Sequence, residues 1–412
     1  MSNEITIEPK MLIMVTPTNH NKVYRMIPHG DTFEAEYGRV GAACQRRCYS
    51  MSQWDKKYKE KIKKGYVDQT HLVQDLIQKE SVKSHDGYKE IENRAIAEIV
   101  QRLQDMARQK IQTNYKVSSQ QVTQAMVDEA QNVIDNLMGK ETVEDFNNAL
   151  LTLFTIIPRK MANVNSHLSR SKDDFAKILK DEQDLLDVMR GQVITHTVQN
   201  EPERVEENKD ETIIEAMGLI FEEVDSSEVE MIKEKLGEIS NRFHKAWRVR
   251  NIRTQKRFDD FVEKEGIKTR KLLWHGSRNE NWWSIINTGL VLRPTNAVIT
   301  GKLYGMGTYF APKARKSLGY TSVSGSYWAH GNDTFGFMAL MDVAYGTPFD
   351  VYDFNSKYYN MNYENLQKFK EGANCLHAHA GACLGGYSSL KNDEIVVYKE
   401  EQCTIKYLVE LR

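Results

Sequence analysis

Between about residue 90 and residue 193, apolar side chains recur at helical spacing four times in succession, a pattern that only a set of amphipathic helices satisfies. Ile96, Ile99, Leu103 and Met106 form one stripe. Val122, Met126, Val133 and Leu137 form a second, with Ser118 and Gln121 as a capping box before it and Gly139 closing it. Phe146, Leu150, Leu153 and Ile157 form a third, stopped by Pro158, and Phe175, Leu179, Leu186 and Met189 a fourth, closed by Gly191. Four such helices on short connections predict an all-α bundle. Nothing in the pattern is chemical; the stripes are core.

The flanks follow a different period. Residues 1 to about 80 read as a small β-rich unit, with strands over Met11 to Thr16, Lys22 to Ile27 and Phe33 to Val40. A helix carrying Trp54, Tyr58 and Ile62 on one face follows, and Gly65 is placed to end it. His196 to Thr212 holds six acids and two bases with almost no apolar content, and reads as a linker. Beyond it, a helix over Val229 to Phe243 precedes short strands at Trp247 to Arg253, Lys271 to Trp274, Thr308 to Ala311, Phe337 to Tyr345, Ile395 to Tyr398 and Ile405 to Leu411. That is a mixed α+β domain. A chain of 412 residues exceeds one ordinary core, so the fold class expected is multidomain α+β.

Charge and cysteines narrow the partners. The net charge of -1 argues against a protein that coats nucleic acid, but Tyr37 to Lys64 carries nine Lys/Arg against Asp55 and Glu60 alone. The five cysteines are odd in number and irregularly spaced, which favours reduced thiols and gives no readable zinc site. No apolar run reaches membrane-spanning length, and Met11 to Val15 is too short for a signal peptide. A nuclear protein in a eukaryote, or a cytoplasmic one in a bacterium, is expected, with no membrane partner.

Three blocks carry chemistry. Leu272-Leu273-Trp274-His275-Gly276-Ser277-Arg278 sets an apolar strand before a His-Gly-Ser turn; Gly305-Met306-Gly307-Thr308-Tyr309-Phe310-Ala311 is followed by Ser317 and Tyr320 on a helix; Asn392-Asp393-Glu394 starts a strand. Together they resemble the His-Tyr-Glu signature of the poly(ADP-ribose) polymerases. Leu153-Phe154-Thr155-Ile156-Ile157-Pro158 and Asp184-Leu185-Leu186-Asp187 resemble the regulatory helical domain of the DNA-dependent members. Asn21-Lys22-Val23-Tyr24, Tyr37-Gly38-Arg39-Val40-Gly41 and Lys64-Gly65-Tyr66 resemble their WGR domain.

The resemblance implies three domains: a WGR-like DNA-binding domain over 1–80, a regulatory helical domain over 90–195 and an ADP-ribosyltransferase domain over 205–412. It implies a poly-ADP-ribosyltransferase activated by DNA strand breaks, acting in DNA repair. NAD is its substrate, and proteins, including the enzyme itself, are its acceptors. The Gly276 backbone and the Ser317 hydroxyl would grip the nicotinamide amide, and Tyr309 and Tyr320 would pack on its ring, each stack giving about 0.5–1.5 kcal/mol. His275 and Ser277 would hold the adenosine ribose. Glu394 would hold the nicotinamide ribose and favour the cationic transition state; a unit charge about 4 Å away is worth roughly 4 kcal/mol at moderate dielectric. His275, Tyr309 and Glu394 are thus the expected catalytic set, and the chemistry needs no metal. Tyr37, in place of the family's Trp, and Arg39 would contact DNA. His377 and His379 read as solvated loop residues without a role. Two rivals stay open: a DNA-independent enzyme adding single ADP-ribose units, and a catalytically silent DNA-end-binding adaptor.

Overall fold

The computed structural model describes residues 7–73, 88–114, 122–199, 211–292, 303–383 and 390–412. The protein is mixed α+β and divides into two compact units: Met1–His85 with Arg108–Pro202, and Asp86–Ala107 with Glu203–Arg412. Among the described residues no helix is long and apolar enough to cross a membrane.

The first unit opens with a five-stranded antiparallel sheet of order β4-β3-β2-β1-β5. Its strands are β1 (Lys10–Val15), β2 (Asn21–His29), β3 (Thr32–Arg39), β4 (Gln45–Ser50) and β5 (Val67–Asp68). The sequence pattern misses β4, whose residues are nearly all exposed and give no alternation to read. Helix α1 (Trp54–Lys63) seats Trp54 edge-on against Phe33, with centroids 5.1 Å apart. Gly65 follows the helix at φ +89°, the left-handed conformation that ends it.

Helix α2 (Arg94–Asn114) contributes to both units, its residues through 107 to the second and the rest to the first. The helices that follow in the first unit are α3 (Gln124–Leu137), α4 (Val143–Ile156) and α5 (Phe175–Gln199). The expected Ser118–Gln121 cap lies outside the described residues; Thr123 caps α3 instead, its hydroxyl accepting from the Met126 amide at 3.1 Å. The rings of Phe146 and Phe175 stack at 3.9 Å and fix α4 against the start of α5. Gly191 does not end α5, which runs on to Gln199. Val193 is buried there, so the helix keeps an apolar face past the glycine, and its packing outweighs the ~1 kcal/mol that Gly costs inside a helix. The stretch expected to be a linker therefore begins as helix; its residues 200–210 lie outside the described ones.

The second unit holds α6 (Ile213–Ala216), β6 (Leu219–Glu223), α7 (Ser226–Leu236), β7 (Phe243–Asn251) and α8 (Ile252–Lys264). Then come β8 (Lys271–Gly276), α9 (Trp282–Thr288), β9 (Thr308–Phe310), α10 (Ala314–Leu318), β10 (Gly336–Val343) and β11 (Pro348–Asp353). Helix α11 (Tyr363–Phe369), β12 (Cys375–Cys383), β13 (Glu394–Val397) and β14 (Cys403–Leu411) complete it. Two sheets result, a five-stranded one of order β6-β7-β14-β10-β8 and a four-stranded one of order β11-β12-β13-β9. β10 is buried at every position and lies between β14 and β8, which is why it reads as a near-continuous apolar run. Its one acid, Asp342, is met by the Arg270 guanidinium.

Two polar joints hold this unit. Asn251, fully buried, ends β7 and caps α8: its Oδ1 accepts from the Arg253 and Thr254 amides at 3.0 and 3.2 Å, while its Nδ2 donates to the Ile286 and Asn287 carbonyls at 2.9 Å each. Glu410 of β14 has a side chain only 1% exposed, and the Arg102 guanidinium grips both its oxygens at 2.9 and 3.2 Å. Arg102→Ala should therefore destabilise the second unit by about 1–3 kcal/mol through a poorly compensated buried carboxylate, read as a lower denaturant midpoint. A midpoint within error of the parent would show that Arg412, 3.3 Å from the same carboxylate, suffices.

Candidate active site

β8 brings His275 and Gly276 to the edge of the five-stranded sheet, and β9 brings Tyr309 to the edge of the other. The two strands join at Trp274 and Ala311, whose amides and carbonyls exchange hydrogen bonds of 2.9 and 3.0 Å. The His275 Nδ1 lies 3.0 Å from the Tyr309 carbonyl, so Nδ1 carries the proton. Tyr309 is fixed at its far end: its hydroxyl donates to the Gly305 carbonyl at 3.0 Å and accepts from the Tyr304 amide at 3.0 Å.

Helix α10 packs so close to the end of β8 that a Cβ on Gly276 would lie 2.0 Å from the Ser317 carbonyl oxygen. Only glycine fits there. The Ser317 hydroxyl, buried, donates to the Trp274 carbonyl at 3.1 Å, and the Ser277 hydroxyl accepts from the Asn281 side chain at 3.0 Å. Tyr320 follows α10; its half-exposed ring lies near parallel to that of Trp328 at 6.3 Å.

Glu394 begins β13, where it pairs with Ala378, and Val396 two residues on pairs with Tyr309. The alternation of a strand therefore puts Glu394 and Tyr309 on one face. The Glu394 carboxylate meets the Lys316 ammonium at 2.5 Å, with both side chains largely buried. Lys316 also donates to the Asn392 carbonyl at 3.3 Å. Burial pushes the Lys316 ammonium below the ordinary lysine value, and Glu394 opposes that push. Burial, with Glu394 adding to it, raises the Tyr320 phenol to about 12 and holds Tyr309 well above 10. The fold thus brings His275, Gly276, Ser277, Tyr309, Ser317, Tyr320 and Glu394 into one unit around the β8–β9 junction.

Sequence reasoning missed Lys316 and Tyr304. Lys316 immediately precedes Ser317, and a charged residue on a short helix gave no cue to its direction. Tyr304 is buried with its hydroxyl unpartnered, and its carbonyl accepts from the Tyr398 hydroxyl at 2.8 Å. His377 and His379 are not loop residues: they sit on β12, with His377 buried.

In the first unit, Tyr37 stacks on Tyr24 at 5.9 Å, and the Lys61 ammonium sits over both rings. Arg39 points inward along its own unit. Its guanidinium donates to Asn19 O at 3.1 Å and Oδ1 at 3.0 Å, to Met161 O at 2.8 Å and to Ala162 O at 2.9 Å. A phosphate contact by Arg39 would have to replace these bonds. Arg46, Arg47, Lys56, Lys59, Lys63 and Lys64 are exposed.

Residues 226–412 match a sequence model of the poly(ADP-ribose) polymerase catalytic domain. The chain is similar to two proteins of Invertebrate iridescent virus 6. Uncharacterized protein 101L is 33% identical over 194 residues, which cover 46% of this chain and 79% of that protein. Putative poly [ADP-ribose] polymerase-like 100L is 29% identical over 198 residues, which cover 46% of this chain and 97% of that protein. Poly [ADP-ribose] polymerase 1 of Danio rerio is 23% identical over 329 residues, 72% of this chain but only 30% of that longer protein.

The Lys316–Glu394 pair makes a test that needs no assay of turnover. Competitive acetylation across a pH series should show Lys316 losing its proton below the ordinary lysine value of 10.5. Glu394→Gln removes the charge that favours the ammonium, so the midpoint should move lower still; an upward move would refute the pairing.

Proposed function

Since this chain belongs to the poly(ADP-ribose) polymerase family, we propose that it is a protein poly-ADP-ribosyltransferase that responds to DNA strand breaks. The family chemistry is NAD-dependent ADP-ribosyl transfer: the bond from nicotinamide to ribose breaks, and ADP-ribose passes to an acceptor. The observation that carries the reading is a carboxylate, Glu394, on the same sheet face as the Tyr309 ring and paired with Lys316, whose neighbour Ser317 packs against the Gly276 backbone.

NAD's nicotinamide amide is gripped by the Gly276 backbone, on the edge strand β8, and by the Ser317 hydroxyl, which keeps lone pairs beyond its bond to Trp274. Tyr309, held at both ends, and Tyr320 sandwich the ring. His275 and Ser277 take the adenosine ribose; the Nδ1 bond to Tyr309 sets the imidazole tautomer and leaves Nε2 as its acceptor. As the glycosidic bond breaks, the ribose gains oxocarbenium character and nicotinamide leaves with the electron pair. Glu394 stabilises that cation and polarises the acceptor hydroxyl. Lys316 positions the carboxylate and gives way to the ribose hydroxyls when NAD arrives. Glu394→Gln keeps the shape and removes the charge. NAD binding should survive while transfer falls by at least about a hundredfold, measured as nicotinamide release. Near-normal polymer on a gel would sink this role, and a single product band from the parent enzyme would assign it single-unit transfer.

DNA ends bind the first unit through its exposed basic residues, because phosphates demand cations and the Arg46–Lys64 stretch displays six of them. The match to the zebrafish polymerase, which covers 72% of this chain, supports a role for residues outside the catalytic domain. NAD turnover with and without a short blunt duplex is the direct test. Lys59→Glu with Lys63→Glu should weaken duplex binding and flatten its salt dependence, and Arg39→Ala should raise the DNA needed for activation. Identical activation curves for all three proteins would refute DNA control through this unit.

A further inference from the structure

On the reverse of the sheet that presents Glu394 lies a cluster the transfer chemistry does not use. β12 reads His377-Ala378-His379, and alternation along a strand puts both imidazoles on one face. Ala378, between them, is fully buried on the other face with Val396 and Tyr398. Asp350 of β11 stands directly opposite His377 in the parallel register, so its carboxylate joins the histidine face. Asp393, one residue before Glu394, reaches the same face from the start of β13.

The contacts are dense. The His379 Nε2 lies 2.8 Å from Asp350 Oδ1, and the His377 Nε2 lies 3.0 Å from Asp393 Oδ2. The two imidazoles are near parallel, with centroids 4.0 Å apart. One ligating atom each from Asp350, His377 and His379 lies within 4.8 Å of the others. Neighbours hold both rings in place: the Tyr345 hydroxyl contacts the His377 Nδ1 at 2.8 Å, and the Tyr352 ring stacks on His379 at 4.5 Å. A histidine tethered through one nitrogen presents the other to a metal in a fixed direction.

Ligand type and access agree. Imidazole nitrogens beside a carboxylate are donors of the kind that bind zinc. A tetrahedral zinc ion with bonds of about 2.0–2.1 Å separates its ligand atoms by about 3.3 Å, close to the two N···O spacings already present. The side chain of His377 is 11% exposed, that of His379 27% and that of Asp350 36%, so the cluster is anchored on one side and open to solvent on the other.

We propose that Asp350, His377 and His379 form a divalent transition-metal site, zinc by ligand type, with solvent in the fourth position. The ion staples β11 to β12, neighbouring strands of the sheet that carries Glu394. It lies on the sheet face opposite Glu394 and Tyr309, and the assignment is independent of the proposed DNA response.

The test uses the full chain, stripped with a chelator and titrated with Zn2+. Calorimetry should give one ion per chain, and thermal unfolding should shift upward with zinc. Co2+ in its place should give visible absorption bands of a four-coordinate ion. Asp350→Asn combined with His379→Gln should weaken Zn2+ by at least about tenfold and abolish the thermal shift. Cys44→Ser with Cys48→Ser should leave both intact. Should the double variant not fold, His379→Gln alone serves, since it preserves the His377–Asp393 contact. No thermal shift in the parent protein, or a shift that survives loss of Asp350 and His379, overturns the site.

Discussion

The catalytic unit depends on one close approach. At the end of β8 the backbone of Gly276 lies against the backbone of Ser317, with no room for even a methyl group between them. That contact lets α10 lie across the strand end, and α10 in turn carries Ser317 and Lys316. Immediately before it, the Trp274–Ala311 bridge joins the edge of one sheet to the edge of the other. Two sheets, a helix and a turn thus converge on three consecutive residues, Trp274 to Gly276. The Trp274 indole is buried and donates to the Lys235 carbonyl at 3.0 Å, which anchors the whole junction to the core.

The electrostatics follow from that geometry. Lys316 faces Glu394 because α10 ends where it does, and the pair is shielded because Tyr304, Tyr309 and Tyr320 surround the carboxylate. Burial alone would disfavour both charges; together each lowers the cost of the other. The acid thus stays poised among aromatic rings.

Much of this was legible in the sequence, and the losses have physical reasons. The apolar runs that became β8, β10, β13 and β14 are buried, so their composition announced them. The His-Gly-Ser, Gly-Tyr and Asp-Glu blocks, far apart in sequence, lie near one another because β8 meets the end of β9 at the Trp274–Ala311 bridge and β9 pairs with β13. β4 was invisible because its residues are nearly all exposed, and α5 outran Gly191 because its apolar face continues past that residue. The β12 histidines were misplaced because Cys-Leu-His-Ala-His-Ala alternates around a glycine-rich neighbourhood that reads as loop. The inward turn of Arg39 has no local signal at all: its partners Met161 and Ala162 lie 122 and 123 residues away.

The order of strands has a consequence for how the chain comes to be folded. β14, the last strand in sequence, is the middle strand of its sheet, bonded to β7 on one side and β10 on the other. Until residues 403–411 leave the ribosome, β6–β7 and β8–β10 are separate hairpin-like fragments with no common neighbour. Their apolar edges must wait, exposed, while everything upstream is already made. Loss of this strand alone would therefore part β6–β7 from β8–β10 and leave the β11-β12-β13-β9 sheet, with Tyr309 and Glu394, without the five-stranded sheet that it meets at Trp274. How long the apolar edges of β7 and β10 stay open to aggregation is set by how fast this one strand finds its slot between them.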